Sequence, residues 1–341
     1  MDCVIAIDIG GTKIDMAGVD VEKLRLVDSS SAVLQGHEQL DNGSFFEFLA
    51  ERINELMVAL RQRGYQAVMM GVAAPGPLDH RLGVIEDPPN LAVRRMAIVA
   101  MLKRQYPEMF GIYLLNDADA MALGEYRLNY QERDHMTLLT LGTGVGCGHV
   151  EYGRLFRGRG KASEFGHTSV SIPGTMRECA CGGINCAESF LGSSGLARTY
   201  CEVFEIKWEL LSTRDRVSLS HLVPKDLRWL MPEPEDKRWT EVFDRYFLHL
   251  RLVLRNLACV YNPELIVFNG GIVRGFSYLQ VRLDQLRNGL ADMAANDPFM
   301  RLLDGTQLTV SSEEHPALFG AAWYAYRRNE AERATHEQFP A

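Results

Sequence analysis

Four side chains near the middle of the sequence carry its most specific chemistry: His167, Cys179, Cys181 and Cys186. One imidazole and three thiols are the ligand set of closed structural zinc sites. The C-x-C-x4-C spacing is tighter than in a zinc finger, and Gly182 and Gly183 give the loop freedom to wrap one ion. A buried or reactive thiol cluster is the alternative. Three crowded thiols plus a histidine favour a metal, and with no ligand position left open the ion would be structural.

A second kind of chemistry lies in glycine turns. Asp8-Ile9-Gly10-Gly11-Thr12-Lys13 directly follows an apolar run. Gly10 and Gly11 let backbone N–H groups face phosphate oxygens, Thr12 adds a hydroxyl and Lys13 a positive charge. Asp8 is suited to hold magnesium through water. On its own the segment reads equally well as a hairpin turn with a solvated lysine. Gly142-Thr143-Gly144-Val145-Gly146 and the pair Gly270-Gly271, also at strand ends, favour a nucleotide such as ATP held by all three. The spacing matches neither a P-loop nor a dinucleotide fingerprint, which disfavours a dehydrogenase.

Asn116-Asp117 closes an apolar run, where α/β sheets present ligands. A carboxylate there could accept the proton of a hydroxyl attacking phosphate. Aspartate is also a common helix N-cap, and the residue alone does not choose between these roles.

The elements that must position these groups follow from periodicity. Strands are expected at 4–9, 14–19, 24–33, 67–74, 112–115, 136–141 and 265–268. A long helix begins at Ser44, with Glu47 completing a capping box, and ends at Gly64. Further helices are expected at 98–104, at 239–261 before Asn262-Pro263, and at 315–327. Each half opens with strand, glycine turn and strand, a weak internal repeat. The predicted division is an N-terminal lobe over 1–118, a C-terminal lobe over 119–326 with the metal loop at 167–186, and a tail over 327–341. Residues 205–238 read as an insertion and the tail as disordered.

At 341 residues, with 47% hydrophobic and 23% charged, the chain has the composition of a soluble two-lobed α/β protein. A net charge of −8 argues against a nucleic-acid partner. The N-terminal apolar run lacks a basic start and is too short to span a bilayer, so no membrane partner and a cytoplasmic location are expected.

Together the turns resemble the actin-like (ribonuclease H-like) superfamily of ATPases and sugar kinases. The finer resemblance is to the ROK family of sugar kinases and related repressors, and it extends from Asp8 to about Ala322. Glu164-Phe165-Gly166-His167 is similar to the family's E-x-G-H signature. Cys179-Ala180-Cys181-Gly182, with Cys186-Ala187-Glu188, is similar to its C-x-C-G-x-x-G-C-x-E signature. Asn116 to Glu125 resembles N-D-A-N-x-A-A-L-G-E.

The resemblance implies nucleotide and sugar in an interlobe cleft, ATP-dependent phosphorylation of a hexose, glucose-like or N-acetylated, and Asp117 as general base. It implies sugar contacts from Asn90, Asn116, Asp117, Glu164, His167 and Glu188, with magnesium, structural zinc and a homodimer. Asn185 stands where the family has glycine, as does Ser163; Asp119 replaces an asparagine, and a tryptophan common after Asn90 is missing. Arg94 and Arg95 read as a solvated pair or as facing an anionic substrate. Two other readings compete. A ROK-type repressor would carry a helix-turn-helix ahead of the first turn, which here starts at residue 8. An actin-like scaffold ATPase would not need the Glu164–His167 and cysteine constellation.

Overall fold

The computed structural model describes all residues except 35–39, 89–90, 171, 173, 227–236, 276–285, 289, 291–296 and 339–341. The chain divides into two compact units. The first comprises Met1–Glu132, Gly153–Ala162 and Glu313–Ala341; the second comprises Arg133–Tyr152 and Ser163–Ser312.

The first unit is built on β1 (Asp2–Ile9), β2 (Lys13–Asp20), β3 (Arg25–Val33), β4 (Gln66–Ala74) and the later strand β7 (Gly111–Asn116), in the order β3-β2-β1-β4-β7. A two-stranded ribbon, β5 (Leu78–Asp79) with β6 (Val84–Ile85), follows β4. The first three strands are antiparallel, and β4 and β7 run parallel to β1. β1 is buried on both faces. Ile5, Ile7 and Ile9 pack with Phe45, Leu49 and Ile53 of helix α1 (Asn42–Gln62), while Val4 and Ala6 pack with Ala321 and Ala322. A strand covered on both sides therefore reads as a continuous apolar run.

Helix α2 (Ile98–Gln105) precedes β7, and α3 (Asp117–Asn129) follows it without a loop. The second unit begins with β8 (His135–Leu141) and β9 (Val145–Glu151). Its strands β9-β8-β11-β12 form a sheet, with β11 at Leu265–Asn269 and β12 at Gln307–Val310; the short β10 at Arg154–Leu155, which extends the order to β10-β9-β8-β11-β12, falls in the segment counted with the first unit. β9 is antiparallel to β8, while β11 and β12 are parallel to it. Both sheets thus share one topology, third-second-first-fourth-fifth, so the repeat expected from the turns is a repeat of whole sheets.

Helices α4 (Glu188–Leu191), α5 (Ser193–Val203), α6 (Thr213–Asp226), α7 (Arg238–Tyr261) and α8 (Gly271–Gly275) belong to the second unit. α7 buries Phe243, Leu250, Leu254 and Leu257 against the core. Each such side chain contributes about 1.5–3 kcal/mol. The helix stops at Asn262, whose left-handed backbone (φ 44°) returns its N–H to the Ala258 carbonyl at 3.0 Å. The last helix, α9 (Pro316–Gln338), packs with the first unit.

Several boundaries differ from expectation. α3 and α9 count with the first unit because their backbones touch. A Cβ on Gly124 would lie 1.8 Å from the Pro316 carbonyl oxygen, and one on Gly320 equally close to that of Ala120. No side chain fits there. A chain cut at 118 would separate these helices from the sheet they cover. α9 also continues as helix to Gln338, within the segment read as a disordered tail, and α6 occupies part of the expected insertion. α1 starts at Asn42 with Asp41 as its cap, accepting from the Ser44 N–H at 2.8 Å, so Ser44 is not the capping residue. Among the described residues no helix is long and apolar enough to cross a membrane.

Candidate functional site

In the first unit the parallel register brings the acidic groups to one end. Asp8 of β1 is level with Ala73 of β4, and Ala74 is level with Asn116 of β7. The C-terminal ends of three adjacent parallel strands therefore carry Asp8, the loop Pro75-Gly76-Pro77 and Asn116-Asp117. Asn116 caps α3, its side-chain oxygen accepting from Ala118 N–H at 2.9 Å and Asp119 N–H at 3.3 Å. Asp117 is the first helical residue and also accepts from Ala118 N–H, at 2.8 Å. The capping role weighed for Asp117 thus falls mainly to its neighbour. Burial, reinforced by the Asp117 and Asp15 carboxylates, pushes Asp8 up to about 7.

The Gly10–Lys13 turn closes on the Gly10 N–H, which donates to the Lys13 carbonyl at 2.9 Å. Thr12 is exposed at its tip and Gly11 is half-buried. Lys13 is ion-paired with Asp15 at 2.5 Å, so its charge is held beside the turn. Asp119, the departure from asparagine, is buried and pairs with Arg157 at 3.5 Å. Arg157 in turn donates to the Tyr324 hydroxyl on α9. Arg94 and Arg95 are both exposed, in line with a solvated pair, and Arg94 also donates to the Leu91 and Val93 carbonyls of its own loop at 2.8 Å. Asn90 lies outside the described residues.

In the second unit the cysteine–histidine loop and the Gly142–Gly146 turn are joined. Ligand atoms of His167, Cys179, Cys181 and Cys186 lie within 4.8 Å of one another. Cys181 and Cys186 sulfurs are 3.6 Å apart, and Cys179 Sγ is 3.9 Å from His167 Nδ1. Tetrahedral zinc with sulfur at about 2.3 Å sets sulfur pairs about 3.8 Å apart, so the four residues fit the ion. Burial pushes the Cys179 thiol up, while the Gly183 N–H on its sulfur draws Cys181 down.

Glu188 accepts the Val145 N–H at 3.1 Å with one carboxylate oxygen, and its other oxygen lies 3.8 Å from Cys179 Sγ. Ser193 N–H at the start of α5 donates to the Gly142 carbonyl at 2.8 Å. Gly166 presses on the same turn: a Cβ there would lie 2.0 Å from the Val145 carbonyl oxygen. Only glycine fits, which explains its place between Phe165 and His167. Gly270 and Gly271 follow β11, with Gly270 N–H bonded to the Asn269 side-chain oxygen at 2.6 Å. Glu164 is exposed, at the start of the short 3₁₀ turn Phe165–His167.

The ROK family model matches residues 4–328. The chain belongs to the ROK family. It is 27% identical over 280 residues to a glucokinase of Thermotoga maritima, covering 79% of this chain and 82% of that protein. An N-acetylgalactosamine kinase of a Shewanella species is 30% identical over 278 residues, 78% of this chain and 80% of the relative. Among solved structures, a ROK glucokinase of Streptomyces griseus in complex with glucose and AMPPNP superimposes with a TM-score of 0.70. That pair is 25% identical, covering 95% of this chain and 99% of that one. The two units with duplicated sheets are the actin-like sugar-kinase fold.

Departures from the ROK pattern now have physical reasons. Asn185 adopts φ 55°, so the glycine it replaces left a left-handed position that asparagine tolerates. Its side chain also crosses the loop, accepting from Arg177 N–H at 2.8 Å and donating to the Thr175 carbonyl at 3.2 Å. Arg177 is a residue the sequence reading missed. Its buried guanidinium donates to the Ser189 and Gly195 carbonyls, Thr199 and Glu202 at 2.8–3.1 Å, pinning the cysteine loop to α4 and α5. A lone arginine two residues before Cys179 carries no signal of this role; only the packed helices reveal it.

Proposed function

We propose that the chain transfers the γ-phosphate of ATP to a hydroxyl of a hexose or N-acetylhexosamine, with Asp117 as the general base. The observation that carries this reading is the placement of Asp117. It heads a helix capped by Asn116, at the shared end of three parallel strands, beside the desolvated Asp8. Membership of the ROK family and the glucokinase and N-acetylgalactosamine kinase relatives support a sugar as acceptor. The AMPPNP complex of the Streptomyces griseus enzyme supports ATP as donor.

Positioning and charge stabilisation dominate phosphoryl transfer, so each residue is assigned a placing role around one proton acceptor. Gly10 closes the first turn, and Gly11, Thr12 and the turn with Thr143 and Gly144 offer N–H and hydroxyl donors to phosphate oxygens, with Gly270 and Gly271 on the nucleotide. Asn116, Glu164, His167 and Glu188 hold sugar hydroxyls, and Asp117 takes the proton of the attacking one. Magnesium near Asp8 would neutralise phosphate charge. Zinc on His167, Cys179, Cys181 and Cys186 would fix the loop that carries Glu188. A homodimer and a cytoplasmic location belong to the same reading.

A coupled ADP-release assay over a panel of hexoses tests it. Hexose-dependent turnover is expected, falling about 10²- to 10⁴-fold in folded Asp117→Asn. Sugar binding without turnover would instead favour a sensor, and sugar-independent ADP release an actin-like scaffold.

A further inference from the structure

Ser163, directly before Glu164, has a left-handed backbone (φ 69°) and is buried at 8% exposure. An L-residue other than asparagine or aspartate seldom adopts this conformation, and a buried serine must also satisfy its hydroxyl. Its hydroxyl has a partner far along the chain. The Ser163 and Tyr261 hydroxyls share a 3.0 Å hydrogen bond, spanning 98 residues of sequence.

Tyr261 is itself firmly placed. It is the last residue of α7, ahead of the left-handed Asn262 cap. Its ring stacks on His149 of β9 at 4.2 Å between centroids with 6° between planes, and lies 5.3 Å from the Phe165 ring. His149 in turn bonds Thr137 of β8 at 2.9 Å. Tyr261 therefore touches the residues on both sides of Glu164, by hydroxyl at Ser163 and by ring at Phe165. The short backbone bond from Phe165 N–H to the Ser163 carbonyl, 2.7 Å, closes the same turn.

We infer that Tyr261 is a positioning residue for Glu164, and that its hydrogen bond allows serine to stand where the ROK pattern has glycine. This rests on the sugar-kinase reading, in which Glu164 contacts the acceptor sugar. A glycine at 163 adopts the left-handed backbone without help. A serine there is strained, and the Tyr261 bond offsets the strain and fixes the direction in which the chain enters Glu164. The bond is then a device of this chain for holding the sugar-binding end of the E-x-G-H segment, acting on sugar affinity and leaving nucleotide binding and the base untouched.

The test is steady-state kinetics with the preferred hexose. Tyr261→Phe keeps the ring stack and removes the hydroxyl. It is expected to raise the hexose KM roughly two- to tenfold, the range for losing one hydrogen bond. The kcat and the KM for ATP should stay near wild type. Ser163→Ala, which keeps the strain and loses the bond from the other side, is expected to match it and serves where Tyr261→Phe fails to fold. Ser163→Gly placed in the Tyr261→Phe background is expected to restore the hexose KM, a rescue that a merely structural role for Tyr261 would not give. An unchanged hexose KM in the two single variants, a parallel fall of kcat, or failure of the glycine rescue in folded protein would overturn the inference. Absence of hexose turnover in the wild type would overturn the sugar-kinase reading itself.

Discussion

Glu188 Oε2 accepts the Val145 backbone N–H at 3.1 Å, tying the residue two places beyond Cys186 to the Gly142–Gly146 turn. The cysteine loop and the turn are thus parts of one assembly in the second unit. A Cβ on Gly144 would lie 2.5 Å from the same carboxylate oxygen, so the turn and the glutamate are fitted to each other. A carboxylate assigned to sugar hydroxyls therefore has a second partner.

Removing that partner should loosen the turn. Glu188→Ala leaves the buried Val145 N–H without its acceptor, a cost of about 1–3 kcal/mol. Hydrogen exchange of the amides over 142–146 is expected to accelerate. Glu188→Gln keeps a carbonyl acceptor and should exchange near the wild-type rate. Equal protection in all three proteins would mean that Ser193 and Gly166 hold the turn alone.

Arg177 ties the cysteine loop to α4 and α5 through four hydrogen bonds. It is 4% exposed and donates to two carbonyls, a hydroxyl and a carboxylate. Arg177→Met is expected to lower unfolding free energy by about 3 kcal/mol, since its acceptors stay behind in the core. Glu202→Gln should cost about 1 kcal/mol or less, because that carboxylate is 36% exposed and screened. Chemical denaturation of both variants checks the ratio; equal losses would place the value in the ion pair instead of the carbonyl bonds.

The four-ligand cluster makes a prediction about composition. Metal analysis of protein prepared without chelator is expected to find one zinc per chain. Cys181→Ser should reduce occupancy and lower Tm, as should a strong chelator acting on wild type, because metal binding and folding are linked. Zinc-free protein with an unaltered melting curve would remove the metal from the structure.

Asp8 gives stability a pH dependence. Its folded-state pKa is raised from 3.8 to about 7, so folding favours the protonated form. This contribution is complete below about pH 4 and is lost as pH rises through 7. Asp8→Asn imitates the neutral acid. In metal-free buffer its Tm should exceed that of wild type by an amount that grows between pH 4 and 8, then levels. Magnesium should narrow the gap by stabilising the ionised carboxylate. A difference that shrinks as pH rises would show that Asp8 is not desolvated.

The strands and most helices were readable because burial imposes periodicity on the sequence. α7 was expected over 239–261 and spans Arg238–Tyr261, since its apolar face recurs at helical spacing and Asn262-Pro263 ends it. β1 was legible for the opposite reason, being apolar throughout because both its faces are covered. The capping of α1 was misread because Asp41 and Ser44 are both good caps, and only the chain's path into the helix selects Asp41.

By itself the sequence determined the donor set at His167, Cys179, Cys181 and Cys186, the glycine turns, and the asparagine–aspartate pair at the end of β7. These are local: residue type and short spacing specify them. Tertiary structure decided what each is attached to. It gave the α3 cap to Asn116 and paired Lys13 with Asp15 and Asp119 with Arg157. It brought Tyr261 to Ser163 across 98 positions and Glu188 to Val145 across 43. Contacts of that range leave no periodic trace, because each depends on the packing of several elements at once. The cysteine–histidine loop opened as four potential ligands at a plausible spacing; folded, it is a loop pinned by Arg177 and joined to a glycine turn through Glu188.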